Sequence, residues 1–159
     1  ALCACNNTKE SPVSLQWEMV KNGAAPGFYE STFTITNTST KPLESDWEIY
    51  YTQLSPRQVK VNEDSPVIIE MINAGYYKIA PSESWTPLAP GDSIKISYLN
   101  QGIFTQTLFT PKSPFFVTNN GTQISIPLSI APFDRKEQWT VQGRIAPSYP
   151  DGEKVYADK

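Results

Sequence analysis

Phe28-Tyr29-Glu30-Ser31-Thr32-Phe33-Thr34-Ile35-Thr36-Asn37 decides the fold class. Tyr29, Phe33 and Ile35 fall on one side of an extended chain, and Glu30, Thr32, Thr34 and Thr36 on the other. Alternation with period two, rich in aromatic and β-branched residues, marks a strand with one buried and one wetter face. The same reading holds upstream, where Leu15, Trp17 and Met19 share a face before Lys21-Asn22-Gly23, which is expected to end that strand. It holds downstream too, where Trp47, Ile49 and Tyr51 lie together and Tyr50 points the other way. Further strands are expected at 67–72, 76–79, 94–99, 107–110, 115–118, 124–128 and 140–145, about ten in all. Asn119-Asn120-Gly121-Thr122 is a hairpin turn signal, because Asn-Gly accepts the positive φ that tight turns require. A short helical piece is the most that 133–138 would allow.

Composition agrees with this pattern. Fourteen Pro and eight Gly, spread through 159 residues, divide the chain into segments that strands tolerate and long helices do not. The length suits one domain with a substantial core. The fold expected is all-β, a two-sheet antiparallel β-sandwich of immunoglobulin-like or cellulose-binding-module-like type. It would occupy residues 13–145. Residues 1–12 would form a cleavage region and tether, and residues 146–159, with Pro147, Pro150 and Gly152, a linker towards a further domain.

The chain contains no histidine, which excludes Ser-His-Asp and Cys-His catalysis and the common His-containing zinc sites within it. The two cysteines, Cys3 and Cys5, are too close for an unstrained disulfide and too few for a metal cage. Glu63-Asp64 and Asp92 lack the ligand spacing of a calcium loop. No metal or cofactor is therefore expected. A net charge of -3 without basic blocks would repel phosphate backbones, so nucleic acid is not expected as a partner. Glu44 and Asp46 share a side of the chain, but with no base or cleft signal they read as a solvated turn. Leu2-Cys3-Ala4-Cys5 is similar to the cleavage end of a bacterial lipoprotein signal, implying acylation of Cys5 and a membrane-tethered, cell-envelope location.

Three motifs point to a family. One is Trp47-Glu48-Ile49-Tyr50-Tyr51, preceded by the strand at 29–37. The second is Ile72-Asn73-Ala74-Gly75-Tyr76-Tyr77-Lys78-Ile79-Ala80-Pro81. The third is Leu88-Ala89-Pro90-Gly91-Asp92-Ser93, leading to Tyr98. In order and spacing, over about 14–130, the chain resembles the amino-terminal domain of bacterial chitobiases and related family 20 beta-N-acetylhexosaminidases. It departs from them at Asn73-Ala74-Gly75, where the glycine is displaced by one residue. The family's catalytic Asp-Glu pair has no counterpart here. The resemblance therefore implies a non-catalytic accessory domain of a hexosaminidase whose catalytic domain would lie beyond Lys159. That domain would remove terminal N-acetylhexosamine with help from the substrate's acetamido group.

Carbohydrate modules offer aromatic rings to the apolar faces of sugars, with polar groups fixing orientation. Most aromatics here fall on inward faces. The candidates left over are Tyr50 and Tyr76, by alternation, and Trp85, by its place in the Pro- and Ser-rich loop 80–90. They would contact N-acetylhexosamine-containing glycans. In the alternative reading, the domain is an architectural spacer whose three rings pack against the downstream domain without binding sugar.

Overall fold

The computed structural model describes residues 9–54 and 57–132. Its strands are β1 (Val13–Ala25), β2 (Phe28–Asn37), β3 (Glu48–Thr52), β4 (Val59–Val61), β5 (Val67–Asn73), β6 (Tyr76–Pro81), β7 (Ser93–Gln101), β8 (Lys112–Val117), β9 (Gln123–Ser125) and β10 (Leu128–Ile130). They form two five-stranded sheets, ordered β10-β1-β2-β7-β4 and β5-β6-β3-β8-β9. The expected sandwich is present, with one departure from antiparallel pairing: β10 lies parallel to β1, Leu15 opposite Leu128 and Trp17 opposite Ile130.

The inward faces are those that alternation assigns. Leu15, Trp17 and Met19 of β1 and Tyr29, Phe33 and Ile35 of β2 meet Ile49 and Tyr51 of β3 and Tyr77 and Ile79 of β6, all buried. Large flat rings fill the space between the sheets. Phe33 stacks on Tyr98 at 5.4 Å with planes 4° apart and meets Tyr51 edge-on at 5.2 Å. Trp17 Nε1 donates to the Tyr98 hydroxyl at 2.8 Å, so these two polar tips in the core satisfy one another.

Several boundaries differ from the sequence reading, each for a local reason. Lys21-Asn22-Gly23 does not end β1, because the buried Asn22 side chain accepts from Phe104 N and donates to Phe104 O. The strand runs on through irregular register to Ala25 and reverses before Phe28. Residues 107–110 are not a strand: Thr107–Phe109 is one turn of 3-10 helix, closed by Thr110 N donating to Thr107 O. The stretch 124–128 is split into β9 and β10 around Ile126-Pro127, since proline cannot donate to a ladder. Gly121 is the residue of the 119–122 turn with positive φ, so the hairpin is longer than a two-residue Asn-Gly turn. β4 was not expected. The strand at 140–145, the helical piece at 133–138, the linker 146–159 and Cys5 lie outside the described residues.

Pro90-Gly91 makes a tight turn, with Asp92 N donating to Ala89 O at 3.0 Å and Gly91 at φ 82°. Proline followed by a positive-φ glycine is the type II pattern. Beside it, the fully buried Asn37 amide donates to the carbonyls of Lys41 and Leu88, both at 2.8 Å, and accepts from Ser39 N and Oγ. One side chain thus satisfies two loops. Asn37→Ala is expected to cost about 3 kcal/mol, because it strands several buried polar groups at once. A urea melt would show this as a lower midpoint at unchanged slope.

Candidate functional site

The strand order puts β6, β3 and β8 side by side, and each carries two consecutive aromatics: Tyr76-Tyr77, Tyr50-Tyr51 and Phe115-Phe116. Alternation must send one ring of each pair inward and the other outward. Tyr77, Tyr51 and Phe116 are buried in the core, whereas Tyr76, Tyr50 and Phe115 stand partly exposed on the outer face of the sheet. Tyr50 stacks on Tyr76 at 5.5 Å with planes 20° apart, and on Phe115 at 5.3 Å with planes 11° apart. The outer rings therefore form a row across three strands. At these separations, near-parallel rings overlap with an offset rather than lie in one plane, which is a favoured arrangement for aromatic pairs.

Local backbone chemistry sets this alignment. Gly75, at φ 85°, turns the chain so that β6 begins at Tyr76, and its carbonyl accepts from Gln53 N at 2.9 Å. That bond ties the β5–β6 hairpin to the end of β3. A Cβ on Gly75 would come to 3.4 Å from Gln53 O, and the positive φ would strain any other residue there. The displaced glycine of 73–75 is thus the residue that positions Tyr76. On the other side, Tyr50 is directly opposite Phe115 in the β3–β8 register.

Polar groups border the row. The Tyr50 hydroxyl donates to Glu48 at 2.7 Å, and Lys78 lies 3.7 Å from Glu48 and 3.3 Å from Glu70. The hydrogen bond to Glu48, with smaller contributions from burial and from the charge of that carboxylate, pushes the Tyr50 phenol up to about 12. It is therefore protonated, and a donor, throughout the neutral range. Beyond Glu48 the face runs into a groove of about 470 Å³, lined by Asp46, Glu48, Trp47, Pro81, Thr118 and Asn119 among others.

Of the residues singled out from sequence, Tyr50 and Tyr76 come together and Trp85 does not join them. Trp85 is 9 % exposed, packs edge-on against Trp47 at 5.1 Å, and donates from Nε1 to Leu43 O at 3.2 Å. Its loop is folded back over the core by the Leu43–Leu88 bridge, so a Pro- and Ser-rich composition did not imply an exposed ring. Phe115 was not among the sequence candidates, although the Phe115-Phe116 doublet guarantees one outward ring whichever way the strand is registered.

The model of a family described as "Putative carbohydrate binding domain" matches residues 15–141. The chain belongs to that family, CHB_HEX. No curated protein matches the sequence. Among solved structures, the chain shares its fold with part of a family 20 exo-beta-N-acetylglucosaminidase from Vibrio harveyi, at 12 % identity and a TM-score of 0.53. That match takes in 77 % of this chain and 18 % of the Vibrio chain, so the 159 residues correspond to a small part of that enzyme. The carbohydrate-binding module CBM3b of a cellobiohydrolase 9A from Clostridium thermocellum matches at 14 % identity and a TM-score of 0.51, over 73 % of this chain and 97 % of the module. At these identities the likeness concerns the fold.

Proposed function

We propose that this CHB_HEX domain binds carbohydrate through the outer face of its second sheet, as an accessory to a beta-N-acetylhexosaminidase in the same polypeptide. The observation that carries the reading is the Tyr76–Tyr50–Phe115 row. Three adjoining, partly exposed rings offer apolar surface to the C–H faces of pyranose units. Glu48 and Lys78 beside them supply an acceptor and a donor for hydroxyls and acetamido groups. Membership of a carbohydrate-binding family and a fold shared with part of a hexosaminidase support the same reading. In this scheme the domain holds glycan near a separate catalytic domain and raises its local concentration. Cys5 would carry a lipid that tethers the assembly to the bacterial envelope; metabolic labelling with a fatty acid, lost in Cys5→Ser, tests that anchor.

The test of the binding reading is calorimetric titration of the 159-residue chain with N-acetylglucosamine oligomers, alongside Phe115→Ala. Saturable binding weakened roughly tenfold by loss of the ring is expected, since a few aromatic contacts dominate such interfaces. Equal binding by both proteins would remove the row from the site.

A further inference from the structure

The charge pattern around the aromatic row selects among saccharides. Three carboxylates stand along this face, those of Asp46, Glu48 and Glu70. Lys78 is the cation paired with Glu48 and Glu70, at 3.7 and 3.3 Å. Asp46 has a neutral partner instead, the amide of Asn119, which donates to Oδ2. Lys112, opposite Thr52 in the β3–β8 register, is a second cation on the face, so among the described residues three carboxylates against two lysines leave one negative charge uncancelled, at the Asp46–Glu48 end. The groove that continues from the row contains Asp46 and Glu48, and among the described residues no Lys or Arg lines it. Lys78 is also the least exposed of its ion-paired trio, with 25 % of its side chain accessible against 42 % for Glu48 and 56 % for Glu70.

Resting on the carbohydrate reading above, we infer that the ligand class this site favours is a saccharide with free amino groups, of glucosamine type, over fully N-acetylated or anionic saccharides. A protonated amine on the sugar ring would be drawn to Asp46 and Glu48. It would gain further from lying against the electron-rich face of Tyr76, an end ring of the row. A carboxylated or sulfated sugar would meet the carboxylates of Asp46 and Glu48 in the groove instead. Neutral acetylated sugars would keep the stacking and lose the charge contribution.

The test compares glucosamine, N-acetylglucosamine and uronic-acid oligomers of equal length, titrated into the 159-residue chain at low and high salt. Asp46→Asn and Glu48→Gln are assayed alongside, with Glu18→Gln, on β1 of the other sheet, as a charge control. Circular dichroism confirms that each variant is folded. At low salt the amino oligomer should bind roughly fivefold more tightly than the acetylated one, a ratio suited to partly exposed charge pairs. The ratio should shrink towards one when salt screens those pairs. It should fall in Asp46→Asn and Glu48→Gln and stay in Glu18→Gln. If both neutral and amino oligomers bind equally, or the acetylated one binds better, this inference is overturned and the carbohydrate reading stands. If no oligomer binds, the carbohydrate reading fails and takes this inference with it.

Discussion

Trp85→Ala should lower the stability of the domain by about 3–5 kcal/mol, the range for removing a large aromatic from a packed core. The ring is 9 % exposed, meets Trp47 edge-on at 5.1 Å, and holds the Leu43 carbonyl through its indole nitrogen at 3.2 Å. Truncation would open a void beside Trp47, leave that carbonyl without its donor, and free the loop that the Leu43–Leu88 bridge pins down. Chemical denaturation measures the effect directly: the midpoint should fall sharply at constant slope. Sugar affinity, measured where the variant is still folded, should change little. A variant of near-native stability that no longer bound sugar would return Trp85 to the ligand face and contradict its placement in the core.

The same residue marks the limit of what the sequence reveals. Strand alternation is a strong local signal, and it identified the inward residues of β1, β2 and β3 because both sheets bury one face against the other. A loop has no such period. Whether Trp85 faces water depends on the Leu43–Leu88 pairing across a gap in sequence, which nothing in 80–90 specifies. Asn22 shows the reverse error. Lys21-Asn22-Gly23 has turn composition, yet a tertiary contact with Phe104 keeps Asn22 buried and lets β1 continue. Three-residue β4 carries too few alternations to register as a strand and is held by its pairing with β7. The candidate site was half legible for a comparable reason. Each aromatic doublet announces one outward ring, and Tyr50 and Tyr76 were found that way. That those rings stack, and that Phe115 completes them, follows only from the order β6-β3-β8, which local sequence does not encode.

Tyr50→Ala should therefore separate binding from folding. Tyr50 is the middle ring, stacked on both neighbours, so its loss removes two aromatic pairs and breaks the row at its centre. On the stability side, cross-strand pairs on an exposed face contribute little individually, and a cost of about 1–2 kcal/mol is expected. On the binding side, losing a central aromatic anchor should weaken the affinity for N-acetylglucosamine oligomers roughly tenfold or more. Tyr50→Phe divides the effect further. It keeps both stacks and removes only the hydroxyl that donates to Glu48, so a change of two- to threefold is expected if ring faces carry the affinity, in keeping with one exposed hydrogen bond. A loss in Tyr50→Phe as large as in Tyr50→Ala would shift the weight from stacking to the Tyr50–Glu48 pair as the group that orients the sugar. Unchanged affinity in both variants would mean that the row is not a sugar platform. Three conspicuous rings beside exposed Ile68 and Ile72 would then be better explained as a surface packed against a neighbouring domain.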